Sequence, residues 1–167
     1  MSARVPAFPL IGEPGDLDAL TLLAETVFLE ASGEPDDGKL GVAYVVVNRG
    51  DDIHAVVLGK DRVAYDDGRP YEAWSCWNDN ERAKTTARLA AASGAALEAS
   101  WRAAACALWR LVPDPSQGAT FYLNVELTKK IRAGGTLPAW AADPSDATRV
   151  DESKVLAVIG RHHFLKG

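Results

Sequence analysis

The apolar spacing predicts a helix that begins near Asp16 and ends near Ala31. Apolar residues recur in this stretch at close to helical intervals, at Leu20, Leu23, Ala24, Val27, Phe28 and Ala31. Asp16 follows a proline and a glycine and suits the N-cap position, and Gly33 and a nearby proline end the pattern. Glu30 therefore falls on the last turn of the predicted helix.

A second apolar segment, residues 41–48, allows two interpretations. Every position from Val42 to Val47 is apolar, so periodicity fits a fully buried strand and a fully buried helix equally well. The β-branched residues favour a strand, whereas the acidic pair at positions 36–37 suits the start of a helix. Residues 51–58 then predict one short helix.

The rest of the chain predicts helices, loops and little strand. Residues 61–80 carry turn signals and crowded aromatic residues, and they predict an irregular segment. The alanine-rich stretch 83–111 predicts two helices with a break at Ser93 and Gly94. Four smaller features follow: a strand-like piece at 119–123, a helix near 126–132, a loop ending at Trp140, and an apolar run at 155–159.

Length and composition predict one globular domain. The chain has 167 residues, of which 47% are hydrophobic and 25% charged, and no repeat or linker divides it. We predict an extended arm at 1–15 and a single domain at 16–167. Apolar runs stay well short of the ~20 residues that span a membrane, and the N-terminal stretch lacks a signal-peptide pattern. We therefore expect synthesis in the cytoplasm.

Charge and metal-binding residues exclude several functions. A net charge of −5 gives no electrostatic basis for nucleic-acid binding. Cys76 and Cys106 are too few for a zinc cage, and they are compatible with one disulfide or with free thiols. Of three histidines, His162 and His163 are adjacent in sequence, which makes a three-histidine metal site unfavourable. We expect no metal and no cofactor.

Glu30 is the residue whose position suggests chemistry. It ends an apolar helix beside a loop opened by Gly33, so its carboxyl group has apolar neighbours on one side and open space on the other. Such partial desolvation favours the neutral acid and suits a general acid. The alternative is a solvated glutamate near a helix C-terminus. A thiol nucleophile, Cys76 or Cys106, paired with His162 is also conceivable, although Cys106 in its alanine-rich helix is typical of a core residue.

Four ordered sequence blocks resemble the SleB/CwlJ-type cell wall hydrolases, a family of spore-cortex-lytic enzymes and phage endolysins. The first is Phe28-Leu-Glu-Ala-Ser-Gly-Glu-Pro35 with an apolar run closed by Asn48-Arg49. The second and third are Trp74-Ser-Cys-Trp-Asn-Asp79 and Pro113-Asp-Pro-Ser-Gln-Gly-Ala-Thr-Phe-Tyr-Leu-Asn124. The last is Pro138-Ala-Trp140 followed by Ile159-Gly-Arg-His-His-Phe164. At Phe121 the family commonly has histidine.

The resemblance implies an α+β, mainly α, lysozyme-like fold with a small β element beside the active-site cleft. The apolar run that ends at Val47 is then a buried helix. The implied substrate is the glycan strand of peptidoglycan, cut between N-acetylmuramic acid and N-acetylglucosamine, with Glu30 as general acid/base. Glu30 is the one obvious carboxylate, which favours a lytic transglycosylase over a muramidase, although Glu34, Asp79 and Asp114 keep hydrolysis open.

The same motifs imply supporting roles for other residues. The candidate substrate-binding residues are Ser75, Trp77, Tyr122, Asn124 and Trp140, and the candidate supporting residues are Glu34, Asp114 and His162. Each has a structural alternative, such as hydrophobic packing for the two tryptophans and turn formation for Asp114.

The biological role that we expect is host lysis by a phage endolysin. It would act as a monomer on the cell wall or in the periplasm, once released from the cytoplasm. The alternatives are a non-catalytic peptidoglycan-binding or virion structural protein on the same fold and, less favoured, a metal-dependent amidase.

Overall fold

The computed structural model describes Phe8 and residues 13–61, 71–72 and 74–167. Within these residues the helices are α1 Ala19–Ala31, α2 Asp36–Arg49, α3 Ile53–Leu58, α4 Arg82–Ala90, α5 Gly94–Leu108 and α6 Val125–Ile131. The strands are β1 Lys60–Asp61, β2 Tyr71–Glu72, β3 Phe121–Asn124, β4 Ala142–Asp143, β5 Asp146–Val150, β6 Val155–Ile159 and β7 His162–Leu165. The predicted α+β, mainly helical class is confirmed.

Helix α1 begins two residues later than the sequence pattern predicts. Residues Pro14–Asp16 form a 3-10 turn, so Asp16 is not the N-cap. Asp18 caps the helix instead, because its carboxylate accepts hydrogen bonds from the Thr21 backbone N–H at 2.9 Å and from the Thr21 hydroxyl at 2.7 Å. These bonds lower the pKa of Asp18. The predicted end of the helix is confirmed at Ala31.

The ambiguous apolar run lies in helix α2, as the family resemblance implies. Its residues from Gly41 to Val47 are buried, and α2 packs against α1 and α5. Burial on all sides supplies the stabilisation that the low helix propensity of valine lacks. The propensity argument for a strand is therefore wrong here, and burial within a helical core is the reason.

A close contact between α2 and β7 depends on glycine at position 41. A Cβ atom there would lie 2.6 Å from Cζ of Phe164, a ring that is fully buried. We expect Gly41→Ala to lower the free energy of unfolding by about 1–3 kcal/mol, since the buried ring must move. Gly94→Ala is the matched control, since nothing lies within 4 Å of its added methyl. Urea unfolding measures the stability of both variants. Equal stability of Gly41→Ala and Gly94→Ala would contradict the prediction.

The three-stranded antiparallel sheet, in the order β3-β7-β6, separates two apolar clusters. Tyr122 pairs with Phe164 across β3 and β7, and both side chains pack against the helical core. Leu123 and Leu165 point to the opposite face, where they join a smaller cluster with the β4–β5 hairpin. Successive side chains of β3 point alternately to the two clusters, and that of Tyr122 points to the helices.

Parts of two predicted segments lie outside the described residues. Of the predicted arm, positions 1–7 and 9–12 are outside, whereas Phe8 is buried and its ring lies 5.3 Å from that of Phe28, edge to face. Residues 62–70 and 73 of the predicted irregular segment are also outside. Its described remainder consists of the short strands β1 and β2 and 3-10 turns at Ser75–Trp77 and Asp79–Glu81, as an irregular segment predicts.

Two further observations bear on the sequence-based expectations. Cys76 and Cys106 are both free thiols, so the disulfide alternative is not realised in the structure. Among the helices described, none combines the length and the apolar character that crossing a membrane requires.

Candidate active site

Glu30 lies where helix α1 reaches the surface. The residues from Thr21 through Leu29 are buried, whereas Glu30 is half-buried. The helix ends one residue later, at Ala31, and the chain then turns toward α2. The carboxyl group of Glu30 is therefore attached to a fixed, buried helix and remains partly open to solvent, as the sequence pattern predicts.

Tyr122 is the residue that contacts the Glu30 carboxyl group from the sheet. Its hydroxyl donates a hydrogen bond of 2.9 Å to Glu30 Oε2. Burial of this hydroxyl and the adjacent Glu30 carboxylate raise the pKa of Tyr122 well above its ordinary value. Tyr122 therefore keeps its proton and remains a hydrogen-bond donor to the carboxylate.

His162 packs against Tyr122 from the neighbouring strand β7. It is 5% exposed, and its ring centroid lies 5.1 Å from that of Tyr122 in an edge-to-face arrangement. Burial lowers the pKa of His162, and the negative charge of Glu34 acts in the opposite direction. The structure thus brings the predicted residues Glu30, Tyr122 and His162 together in one contact chain.

Cys76 lies near the Glu30 carboxyl group, and Trp74 lies near the Tyr122 hydroxyl. Both are buried, and burial together with the nearby Glu30 carboxylate raises the pKa of the Cys76 thiol well above its ordinary value. The Trp74 indole lies close enough to the Tyr122 hydroxyl to oppose the rise in its pKa, although Nε1 lacks a hydrogen bond of good geometry within the described residues. The sequence reasoning considered Cys76 only as a possible thiol nucleophile and did not single out Trp74, whose only signal was its place in the second motif block.

Arg49 connects the walls of the site and was also missed. Its guanidinium lies over the rings of Trp74, at 4.7 Å, and Phe121, at 4.6 Å from the centroids. Its Nε donates to the carbonyl oxygen of Thr120 at 2.6 Å. Helix α2 is thereby attached both to the turn that carries Trp74 and to strand β3. The Asn48-Arg49 motif was recognised, but nothing in the sequence indicates this sandwich.

Glu34 is committed to an ion pair with Arg161. Its Oε1 accepts from Arg161 Nε at 2.7 Å and its Oε2 from the Arg161 backbone N–H at 2.9 Å. Burial alone would raise the pKa of Glu34, but these hydrogen bonds, with the charges of His162 and Arg161, outweigh it and lower that pKa. Glu34 therefore holds the β6–β7 turn against the end of α1.

This arrangement predicts a pH-dependent effect of Arg161→Gln. The variant leaves the buried Glu34 carboxylate without its cation, so we expect the free energy of unfolding to fall at neutral pH. The decrease should be only about 1–2 kcal/mol, because Arg161 is largely exposed and solvent screens the pair. Glu34 has a folded-state pKa below its ordinary 4.5, so the pair stabilises above that value and is lost as the pH falls through the folded-state pKa. Urea unfolding at neutral pH and at the lowest pH that keeps the protein folded should show the penalty shrinking. A constant penalty would contradict the ion-pair assignment.

Asp114 organises the loop between α5 and β3. Its Oδ1 accepts from the Ser116 backbone N–H at 2.7 Å, and its Oδ2 accepts from the Gly118 N–H and from Asn48 Nδ2, both at 2.9 Å. The carboxylate is thus occupied by four donors, counting the Ser116 hydroxyl at 2.6 Å. This placement favours the structural alternative, a turn stabilised by an aspartate.

Trp77 is placed for packing. It is 6% exposed, and its Nε1 donates to the Thr26 hydroxyl at 2.9 Å, which in turn donates to the Leu22 carbonyl oxygen at 2.7 Å. A ring with both its faces and its N–H inside the protein is poorly placed to stack on a sugar. Sugar stacking by Trp77 stays a prediction, and the structure favours the packing alternative.

The three remaining candidates lie in different surroundings. Asn124 caps helix α6, because its Oδ1 accepts from the Leu127 N–H at 3.0 Å. Ser75 is exposed on the turn beside Trp74. Trp140 packs on Phe121 with ring centroids 4.9 Å apart, on the face of the sheet opposite Tyr122. The structure therefore does not bring Trp140 to Glu30, and sugar binding by these residues stays a prediction.

These features define a class: an α+β domain whose half-buried glutamate, at the end of a core helix, is contacted by a tyrosine that cannot readily ionise. Within the described residues, no group of three His, Cys, Asp or Glu side chains is arranged to hold a metal ion. A carboxyl group with a hydrogen-bond donor beside it can act in proton transfer.

The chain belongs to the cell wall hydrolase family. The profile of that family, described as Cell Wall Hydrolase, matches residues 33–165, which is most of the chain. The family resemblance predicted from the motifs is confirmed, and the protein is an enzyme that degrades peptidoglycan. The match begins just after Glu30, so the role of that residue rests on the motif and on the geometry. No curated protein and no solved structure matches the chain.

Proposed function

We propose that the protein cleaves the glycan strand of peptidoglycan between N-acetylmuramic acid and N-acetylglucosamine, with Glu30 as general acid and then general base. One observation carries the proposal. The Glu34 carboxylate is bound to Arg161 and the Asp114 carboxylate accepts four hydrogen bonds from its loop and Asn48, whereas Glu30 has a tyrosine donor and no salt bridge within the described residues.

A single carboxyl group is sufficient for the transglycosylase reaction. Protonated Glu30 donates its proton to the glycosidic oxygen as the bond from that oxygen to C1 of the muramic acid breaks. The 6-hydroxyl of the same sugar attacks C1 and returns its proton to the Glu30 carboxylate, which leaves a 1,6-anhydro product. A retaining or inverting hydrolase needs a second carboxylate ~5 to 9.5 Å away. The hydrogen bonds of Glu34 and Asp114 argue against these two residues in that role, which leaves Asp79 as the sequence-based candidate for it.

The end group of the product tests this reaction. Purified sacculi are digested with the protein, and the soluble fragments are identified by mass spectrometry. We expect 1,6-anhydro-muramic acid ends on peptide-bearing disaccharides, and unchanged yields in the presence of a chelator. Reducing ends would replace the transglycosylase assignment with hydrolysis, and intact glycans with released peptides would overturn glycan cleavage.

Tyr122→Phe tests the donor that orients the acid. Loss of the hydroxyl leaves the ring packed on His162 but frees the Glu30 carboxyl group to rotate. We expect kcat to fall about tenfold with little change in KM, since a misaligned acid weakens proton transfer more than binding. Tyr44→Phe is the control, because it removes a buried hydroxyl bonded to the Val112 carbonyl. Equal kcat in both variants would exclude an orienting role for Tyr122.

The biological setting that we propose is host lysis by a phage endolysin acting on the wall after release from the cytoplasm. Membership of a wall-degrading family supports this setting. Expression in a bacterial host with and without a membrane-permeabilising holin tests it. Lysis only when both proteins are present would support the role, and lysis by this protein alone would contradict dependence on release.

A further inference from the structure

A cavity of about 510 Å³ lies at the end of the sheet that carries the β6–β7 turn. It is bounded by helix α6, the end of strand β5 and the turn between β6 and β7. Its volume is within the range of ~300–1,000 Å³ that small-molecule sites occupy. Neither the candidate acid nor Tyr122 lines it, so it is a separate feature of the molecule.

The cavity is lined by charges of both signs. Lys129, Arg149 and Arg161 contribute three cations, and Glu126 and Glu152 contribute two carboxylates, in a chain whose net charge is −5. Apart from Arg161, none of these five side chains forms a salt bridge within 4 Å among the described residues. Charges of both signs around one cavity suit a ligand that carries carboxylates and an ammonium group.

His163 contributes an aromatic ring to the wall of the cavity. It lies on the face of β7 opposite His162. Its Nδ1 is shielded from solvent and has no hydrogen-bond partner in the part of the chain that the structure describes. Because this nitrogen is shielded, a ligand in the cavity would contact other atoms of the ring.

The cavity and the Glu30 site are connected through two residues. Asn124 lines the cavity and lies two positions after Tyr122 on the same face of β3, a distance of about 7 Å along the strand. Arg161 also lines the cavity, and it binds Glu34 in the segment that follows Glu30. A group branching from a sugar held at Glu30 would pass around the end of the sheet, by Asn124 and Arg161, to enter the cavity.

We propose that this cavity binds the stem peptide attached to the muramic acid whose glycosidic bond Glu30 cleaves. The inference rests on the proposed function, since it takes a peptide-bearing glycan as the substrate. The stem peptide carries free carboxylates for Lys129 and Arg149, and where it contains an uncrosslinked diamino acid it offers an ammonium group to Glu126 or Glu152. The cavity thus makes the enzyme selective for peptide-substituted glycan.

Binding of two defined ligands tests the proposal. Calorimetric titration compares the disaccharide bearing a tetrapeptide with the same disaccharide lacking it, using the full chain. We expect the peptide to tighten binding about tenfold, and Lys129→Gln to remove several-fold of that gain, since a partly exposed charge contact changes binding by up to about tenfold. Lys130→Gln is the matched control, on the same helix but outside the cavity. Equal affinity for the two ligands, or equal effects of the two substitutions, would overturn the proposal.

A cleavage assay separates failure of this inference from failure of the proposed function. Wild-type protein is given intact sacculi and glycan strands stripped of peptide by an amidase. Faster cleavage of intact sacculi, reduced by Lys129→Gln, supports the stem-peptide site. Equal cleavage of both substrates overturns the site and leaves glycan cleavage standing. Tight, Lys129-dependent binding of the peptide-bearing ligand with no new glycan ends would support the site and overturn the proposed reaction.

Discussion

Glu30→Gln is expected to reduce peptidoglycan cleavage by at least about 100-fold and by up to about 10⁴-fold, the range typical of a lost general acid. The amide has the same size as the carboxyl group and still accepts the hydrogen bond from Tyr122. It has no acidic proton to give to the leaving oxygen and is not basic enough to remove one. Release of dye-labelled fragments from sacculi measures the loss.

The control for this variant is Glu98→Gln, an exposed glutamate on helix α5. It removes the same charge without touching the site, and we expect wild-type activity. Both variants should unfold at the wild-type urea concentration, because Glu30 is half-buried and the amide keeps the hydrogen bond from Tyr122. Full activity of Glu30→Gln would favour the non-catalytic wall-binding alternative or a different acid.

Glu25→Gln is expected to have the largest effect on stability. Glu25 is 1% exposed in the middle of α1, and its Oε1 has no hydrogen-bond partner among the described residues. Burial raises the pKa of Glu25 from 4.5 to about 8. The side chain is therefore a neutral acid in the folded protein at neutral pH, and an ionised one in the unfolded chain.

The sign of the effect follows from proton binding. Between the unfolded value of 4.5 and the folded value of about 8, the folded protein holds a proton that the unfolded chain has lost, so stability falls as the pH rises. At 1.36 kcal/mol per pH unit, the titration of Glu25 lowers the free energy of unfolding by about 5 kcal/mol at most. Glu25→Gln removes this dependence, because its amide does not titrate.

Unfolding free energies at pH 6 and pH 8 measure the difference. Between pH 6 and pH 8 the free energy of unfolding of the wild type should fall by about 2–3 kcal/mol more than that of Glu25→Gln. Contributions from other groups, including His162, are common to both proteins and cancel. Comparing slopes also cancels the constant cost of burying the amide. Parallel slopes for the two proteins would contradict the assignment of a buried neutral acid at position 25.

The helices were largely predictable because each carries its own signal. Alanine-rich periodicity and the break at Ser93 and Gly94 correspond to α4 and α5, and Ser93 caps the second helix as its type suggests. The start of α1 was misplaced because Asp16 follows a proline and a glycine and so suited the N-cap, whereas in the structure it is Asp18 that accepts the hydrogen bonds of Thr21. For α2, propensity indicated a strand, and the family resemblance supplied the answer that burial explains.

The site was predictable only in part. The position of Glu30 at the end of an apolar helix could be seen in the sequence, and the motif blocks gave Tyr122 and His162. The pairing of Glu34 with Arg161 joins residues 127 positions apart, and no local pattern encodes it. For the same reason the sequence offered Glu34 and Asp114 as possible second carboxylates, whereas their partners in the structure engage both.

The roles of the two tryptophans in the second motif block could not be predicted from the sequence either. Trp74 and Trp77 lie three residues apart in one motif, and either could line a sugar site. The structure buries both, with Trp77 hydrogen-bonded to Thr26 and Trp74 next to Arg49 and Tyr122. Which tryptophan approaches the acid depends on the packing of the 3-10 turn against α1, a tertiary contact that composition and spacing do not contain.

A crystal structure of the Glu30→Gln variant with a tetrasaccharide of alternating N-acetylglucosamine and N-acetylmuramic acid tests the central claim most directly. The distance to measure joins the side-chain amide introduced at position 30 and the glycosidic oxygen after muramic acid. We predict about 2.6–3.2 Å, the reach of proton transfer, with Tyr122 still hydrogen-bonded to the amide. A tetrasaccharide bound with that oxygen far from position 30 would contradict the account.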